Sequence, residues 1–116
     1  MRVLIPVTPD GAVDPRFGKA ESVAIVDVTD GAITDWTVYN VGWDVLHDEG
    51  TEGSHHARIV RFVREHEVTH VVTAGMGAPM QNTLGKMGIV ILTAMMRDAR
   101  AAVELAAKDV AGRAGQ

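Results

Sequence analysis

The chain has 116 residues, 47% hydrophobic and 22% charged, with a formal charge of −4 and no cysteine. That length suits one compact core, and the absence of thiols excludes disulfides, cysteine-rich zinc sites, thiolate nucleophiles and cysteine-ligated iron–sulfur clusters. The acidic balance opposes nonspecific nucleic-acid binding, and the apolar run at residues 3–7 is too short for a signal peptide or a membrane span, so a cytoplasmic protein with no membrane or nucleic-acid partner is expected.

Taken in chain order, residues 2–7 are apolar and β-branched at most positions and stop at Pro9-Asp10-Gly11, which predicts a buried first strand. Residues 9–21 are loop, rich in Pro, Gly and acidic side chains. Residues 22–28 and 32–41 then form a hairpin across an Asp30-Gly31 turn. Its second arm puts Ile33, Asp35, Thr37 and Tyr39 on one face and Thr34, Trp36, Val38 and Asn40 on the other. Neither face is cleanly apolar, which fits an edge strand. Residues 42–53 lack periodicity and predict a loop.

Ser54 is placed to cap a helix that ends near Glu67, with Ala57, Ile59, Val60, Phe62 and Val63 as its apolar stripe. Arg58, Arg61 and Arg64 recur on a polar side, solvated or able to meet an anion. A strand at residues 69–73 leads into Gly75-Met-Gly77-Ala-Pro79, and Pro79 suits the first turn of a helix that Gly88 ends. Met76, Met80 and Met87 invite a soft-metal reading, but Met80, Leu84 and Met87 have the spacing of a buried face, so the methionines are read as core packing. A last strand at 89–92 and a helix at 97–111 follow. The order β-β-β-α-β-α-β-α implies an α/β fold with a mixed five-stranded sheet flanked by helices. Residues 1–111 are expected to form a single domain, and 112–116 a frayed tail.

Two segments carry a family likeness: Val13-Asp-Pro-Arg-Phe-Gly-Lys-Ala20, and Ala74-Gly-Met-Gly77 with Gly88-Ile89 further on. Together they resemble the dinitrogenase iron-molybdenum cofactor biosynthesis family, of the NifX and NifB carboxy-terminal type. The resemblance implies a ribonuclease-H-like fold and a role in holding or delivering metal–sulfur cofactor precursors. It points to Arg16, Phe17, Gly18, Lys19, Gly75, Met76 and Gly77 as the residues around such a ligand. The family commonly has a histidine where this chain has Arg16. A guanidinium stays protonated and does not ligate a metal, but it suits a carboxylate, a phosphate or an anionic cluster. Arg16 is equally placed to pair with Asp14 or Glu21.

Without thiols, a divalent metal ion would need imidazole and carboxylate, and His47, His55 and His56 are the candidates, beside Asp48, Glu49 and Glu52. Adjacent helical side chains diverge by about 100°, so His47 with one of the other two is the favoured pair. Free N–H groups at the 75–79 turn would suit an anion, although such turns also serve packing alone. The expected function is a non-catalytic binding or carrier protein for a metal–sulfur cofactor precursor, a metal ion or a small anion. Its three loops would share one end of the sheet. The alternative is a cofactor-free protein-interaction module, with a protein partner or a second copy of the chain on the same surface. Nuclease activity stands last, because the strands at 2–7 and 69–73 carry no carboxylates for paired metal ions.

Overall fold

The computed structural model describes residues 1–114. Its elements are β1 (Arg2–Val7), β2 (Ser22–Thr29), β3 (Ala32–Asn40), α1 (Trp43–Leu46), α2 (Glu52–Glu65), β4 (His70–Thr73), α3 (Ala78–Lys86), β5 (Val90–Thr93) and α4 (Ala99–Ala114), with a single 3-10 turn at Phe17–Lys19. The mixed five-stranded sheet has the order β3-β2-β1-β4-β5. β1, β2 and β3 are antiparallel neighbours, whereas β4 runs parallel to both β1 and β5. The expected order of strands and helices is therefore present, with one addition, α1.

β1 is apolar without a break because both its faces are covered. Val3, Ile5 and Val7 pack with Ala102, Val103 and Ala106 of α4 on one side of the sheet. Leu4 packs with Ile59 and Val63 of α2 and Met80 and Leu84 of α3 on the other. Met80 and Leu84 are thus core residues, as their spacing implied. The alanines of α4 let that helix lie close to the sheet, and the helix runs past the expected end at residue 111 to Ala114. Residues 112–114, expected to fray, are helical, and 115–116 of that expected tail lie outside the described residues.

The hairpin turn has both central residues at positive φ, Asp30 at 53° and Gly31 at 79°. This backbone matches the twist of the two strands it joins. The ambiguous pattern of β3 has a cause. Asp27 pairs with Asp35 but Val28 pairs with Ile33, which leaves Thr34 as an extra residue in a bulge. The bulge exchanges the two faces, so Ile33 and Trp36, of opposite parity, both pack on the α4 side. β3 lies at the sheet edge, as expected.

Residues 42–53, expected to be loop, contain α1. Gly42 turns the chain at φ 63° and its N–H donates to the Glu21 carbonyl at 3.0 Å, and the next residue, Trp43, is buried with 1% exposure. Its ring meets Phe17 at 5.8 Å and Phe62 at 5.7 Å between centroids. Four residues are too few to show a helical period, so only this burial reveals the element. α2 also starts earlier than expected: Thr51 is its cap, and Ser54 is the third helical residue, the two closing a reciprocal capping box. The inward face of α2 is His55, Ile59 and Val63, while Ala57 is exposed.

Candidate functional site

The parallel strands β1 and β4 end at the same edge of the sheet, where a crevice forms in open α/β sheets. The long loop after β1 is held there at several points. The Asp14 N–H donates to the Pro6 carbonyl at 3.0 Å, the Val13 N–H to Arg97 at 2.8 Å, and the Ala99 N–H to Gly11 at 3.0 Å. The segment that follows, Asp14 to Lys19, is therefore presented from a fixed base.

A cavity of about 590 Å³ opens beside it. One wall is Arg16, Phe17, Gly18 and Lys19. The opposite wall is Gly75, Met76 and Gly77, continued by Pro79 and Met80 of α3. His47, Glu52, His55 and His56 form the third side above Ile59. The loop residues 16–19, the glycine turn 75–77 and the three histidines thus border one space at one end of the sheet, as expected of the three loops, whereas Asp48, Glu49, Arg58, Arg61 and Arg64 do not line it.

Their roles there differ. Phe17 is 3% exposed and belongs to the core through its contact with Trp43. Asp14 is buried, with 3% exposure; its Oδ1 accepts from the Arg16 N–H at 2.9 Å and faces Arg16 Nε at 3.4 Å. Of the two expected partners, Arg16 therefore takes Asp14. The guanidinium itself is mostly exposed, and its outer amino groups make no hydrogen bond among the described residues. Lys19 likewise forms no ion pair among the described residues, and Glu52 is the carboxylate on the cavity wall. Charged, polar and apolar residues thus share the lining, with half-buried Met76 and buried Met80 on the α3 side.

The histidines do not act as one set. His47 and His55 are in ring contact, with centroids 5.3 Å apart. But His55 is buried with 3% exposure, and both its nitrogens are engaged: Nε2 lies 2.7 Å from the Gly18 carbonyl and Nδ1 lies 2.8 Å from Nη1 of Arg58. His47 is exposed, with Nδ1 3.3 Å from Asp48 Oδ1. Among the described residues, no group of three or more His, Asp or Glu side chains is arranged to hold a metal ion. The three histidines expected as ligands are neighbours around the cavity, and the innermost one is occupied with structural hydrogen bonds.

The glycine turn also spends its polar groups internally. Buried Thr73, at the end of β4, accepts from the Gly75 N–H at 3.2 Å and donates to the Gly75 carbonyl at 2.9 Å. The Gly75 N–H is therefore not offered to an anion. A Cβ at Gly75 would lie 3.4 Å from the Pro15 carbonyl, so this glycine serves the close approach of two loops. Gly77 precedes α3, in which Pro79 lies in the first turn as expected.

Sequence reasoning underrated Asp14, His55 and Arg58. Two of them had a signal: Asp14 stands two residues before the N–H it accepts, a spacing suited to an Asx turn, and His55 lies four residues before Ile59 on the inward helical face.

Solved structures share this architecture. The protein PH0822 is 21% identical, with a TM-score of 0.74 over 94% of this chain and 90% of that one. The apo form of the orange protein from Desulfovibrio gigas is 18% identical, with a TM-score of 0.73 over 93% and 88%. A protein from Methanocaldococcus jannaschii is 18% identical, with a TM-score of 0.68 over 94% and 89%. At such identities the likeness is one of fold. No curated protein sequence matches the chain. Residues 1–109 match the family model described as dinitrogenase iron-molybdenum cofactor, a span that takes in every loop of the cavity; the chain belongs to that family.

Proposed function

We propose that this protein is a non-catalytic carrier whose cargo, a small anionic metal–sulfur species of the cofactor-precursor type, sits in the cavity between residues 16–19 and 75–80. The observation that carries this reading is the make-up of that one cavity. Arg16 and Lys19 supply cationic donors, half-buried Met76 supplies polarizable sulfur, and Ile59 supplies an apolar floor. Such a lining suits an anion whose surface is soft sulfide rather than hard oxygen. With no cysteine in the chain, the cargo is held by charge-assisted hydrogen bonds and thioether contact, not by thiolate bonds.

The order β3-β2-β1-β4-β5, with an antiparallel meander on one side, supports a ribonuclease-H-like description of the sheet. Nuclease chemistry needs carboxylates converging on paired metal ions, and β1 (RVLIPV) and β4 (HVVT) carry none.

Anaerobic titration with tetrathiomolybdate, a coloured molybdenum–sulfur dianion, tests the proposal by its visible absorption. Saturable uptake is expected in the wild type, with molybdate competing poorly. The Arg16→Ala/Lys19→Ala double variant should bind at least about tenfold more weakly, a loss of roughly 1.4 kcal/mol. Absence of saturable uptake, or uptake unchanged in the double variant, would sink the carrier reading.

A further inference from the structure

We infer that His55 and Arg58 are positioning residues of the cavity: they form a strut that holds the wall at residues 16–19 against α1, and His55 makes no bond to the cargo. The consequence for binding rests on the carrier reading above; the strut itself rests on geometry alone.

The Gly18 carbonyl, 2.7 Å from His55 Nε2, only accepts hydrogen bonds, so Nε2 carries the ring proton. The Arg58 guanidinium, 2.8 Å from Nδ1, only donates, so Nδ1 is bare. The two partners thus select one neutral tautomer and leave neither nitrogen for a metal or an anion. Nη1 of Arg58 also lies 3.4 Å from the carbonyl of Leu46, the last residue of α1. A continuous line therefore runs from Gly18 through His55 and Arg58 to Leu46, joining three segments distant in sequence. His55, within that line, is 3% exposed and lines the cavity together with Ile59.

Gly18 is a point where such support matters. The Phe17–Lys19 turn is one 3-10 turn, in which the Lys19 N–H donates to the Arg16 carbonyl at 3.1 Å. The turn carries both cationic residues of the cavity. Phe17 anchors it by burial, and the His55 N–H fixes the orientation of the next peptide. A wall fixed before binding spares the ordering cost that would otherwise be subtracted from affinity. On the other side, Arg58 secures the end of α1, from which His47 follows directly.

Two near-isosteric substitutions separate a strut from a ligand. The amide nitrogen of glutamine reaches the place of Nε2, whereas the asparagine amide reaches only the place of Nδ1. His55→Gln should therefore keep the bond to Gly18, and His55→Asn and His55→Ala should lose it. The readouts are tetrathiomolybdate affinity and hydrogen exchange of the Lys19 amide in the intact chain, each variant first checked for a cooperative thermal transition. His55→Gln, which keeps the bond to Gly18 and gives up the acceptor for Arg58, is expected to lose the least, no more than about threefold on both, whereas His55→Asn and Arg58→Met lose about tenfold or more on both, as for a buried hydrogen bond removed from one side. Arg58→Met keeps the bulk of the stem and guards against a His55 variant that fails to fold. The inference is overturned if Lys19 exchange is the same in all variants, or if His55→Gln loses affinity as fully as His55→Asn while Lys19 stays protected. Failure of the wild type to take up the probe would end the carrier reading, and the exchange measurement would still decide the strut.

Discussion

Arg16→Ala is the substitution in which binding and stability are most usefully separated. Arg16 Nε and Asp14 Oδ1 are 3.4 Å apart, and Asp14 is buried while the guanidinium is mostly exposed. Coulomb's law at that distance spans roughly 1 to 5 kcal/mol between a water-like and a surface-like effective dielectric. Solvent around the exposed partner and the entropy of holding a long side chain reduce the net contribution to about 0.5–1 kcal/mol. The backbone N–H of residue 16, 2.9 Å from the same carboxylate oxygen, survives the change, so the carboxylate is not left wholly unpaired. Thermal unfolding should therefore shift downward by only about 2–6 °C for a chain of this size. Tetrathiomolybdate affinity should fall more, by about five- to thirtyfold, and the difference from wild type should shrink as salt screens the charge. Arg16→Lys keeps the charge and loses the fork, so it should recover part of the affinity. The reasoning is refuted if Arg16→Ala binds as wild type at low salt, or if it unfolds more than about 15 °C lower, which would make Arg16 a structural residue first.

Two further outcomes follow from the fold. Because Thr51 rather than Ser54 caps α2, Thr51→Ala should cost about 1 kcal/mol in chemical denaturation and Thr51→Gly only a few tenths; a fully neutral Thr51→Ala would return the helix start to Ser54. Burial, and next the charge of the amino terminus, lower the pKa of His70 below its ordinary value. The unfolded chain then binds this proton at a higher pH than the folded one, so stability is full above the unfolded value of about 6.5 and declines as pH falls through that value toward the folded one. Thermal midpoints of wild type and His70→Gln across that range should diverge toward acid, with the wild type losing more; parallel curves would contradict the burial argument.

Much of the architecture was readable in the chain because it depends on local patterns. Apolar runs stopped by Pro and Gly mark β1 and β4, the Asp30-Gly31 pair supplies the positive φ values of the hairpin turn, and Met80 with Leu84 lies one helical turn apart. The element order then made a mixed sheet with the loops at 13–20 and 74–79 at one end. Other features were silent for definite reasons. A four-residue helix such as α1 has no measurable period, and the bulge at Thr34 reverses a face that alternation alone assigns wrongly.

The cavity shows the same division. The family likeness singled out Arg16, Lys19 and Met76, and residue type alone the three histidines. Which of them are available to a ligand depends on partners distant in sequence. His55 is 37 residues from Gly18, whose carbonyl it holds, and Thr73 takes up the Gly75 N–H that an anion would need. A sequence lists donors and acceptors; burial and tertiary contacts decide which have already been used. The chain by itself determined the family, the sheet and the loops that meet. Only the folded structure determined that the meeting place is a cavity, that Arg16 is backed by Asp14, and that His55 is hydrogen-bonded to Gly18, because a hydrogen bond between remote residues exists only where packing brings them together.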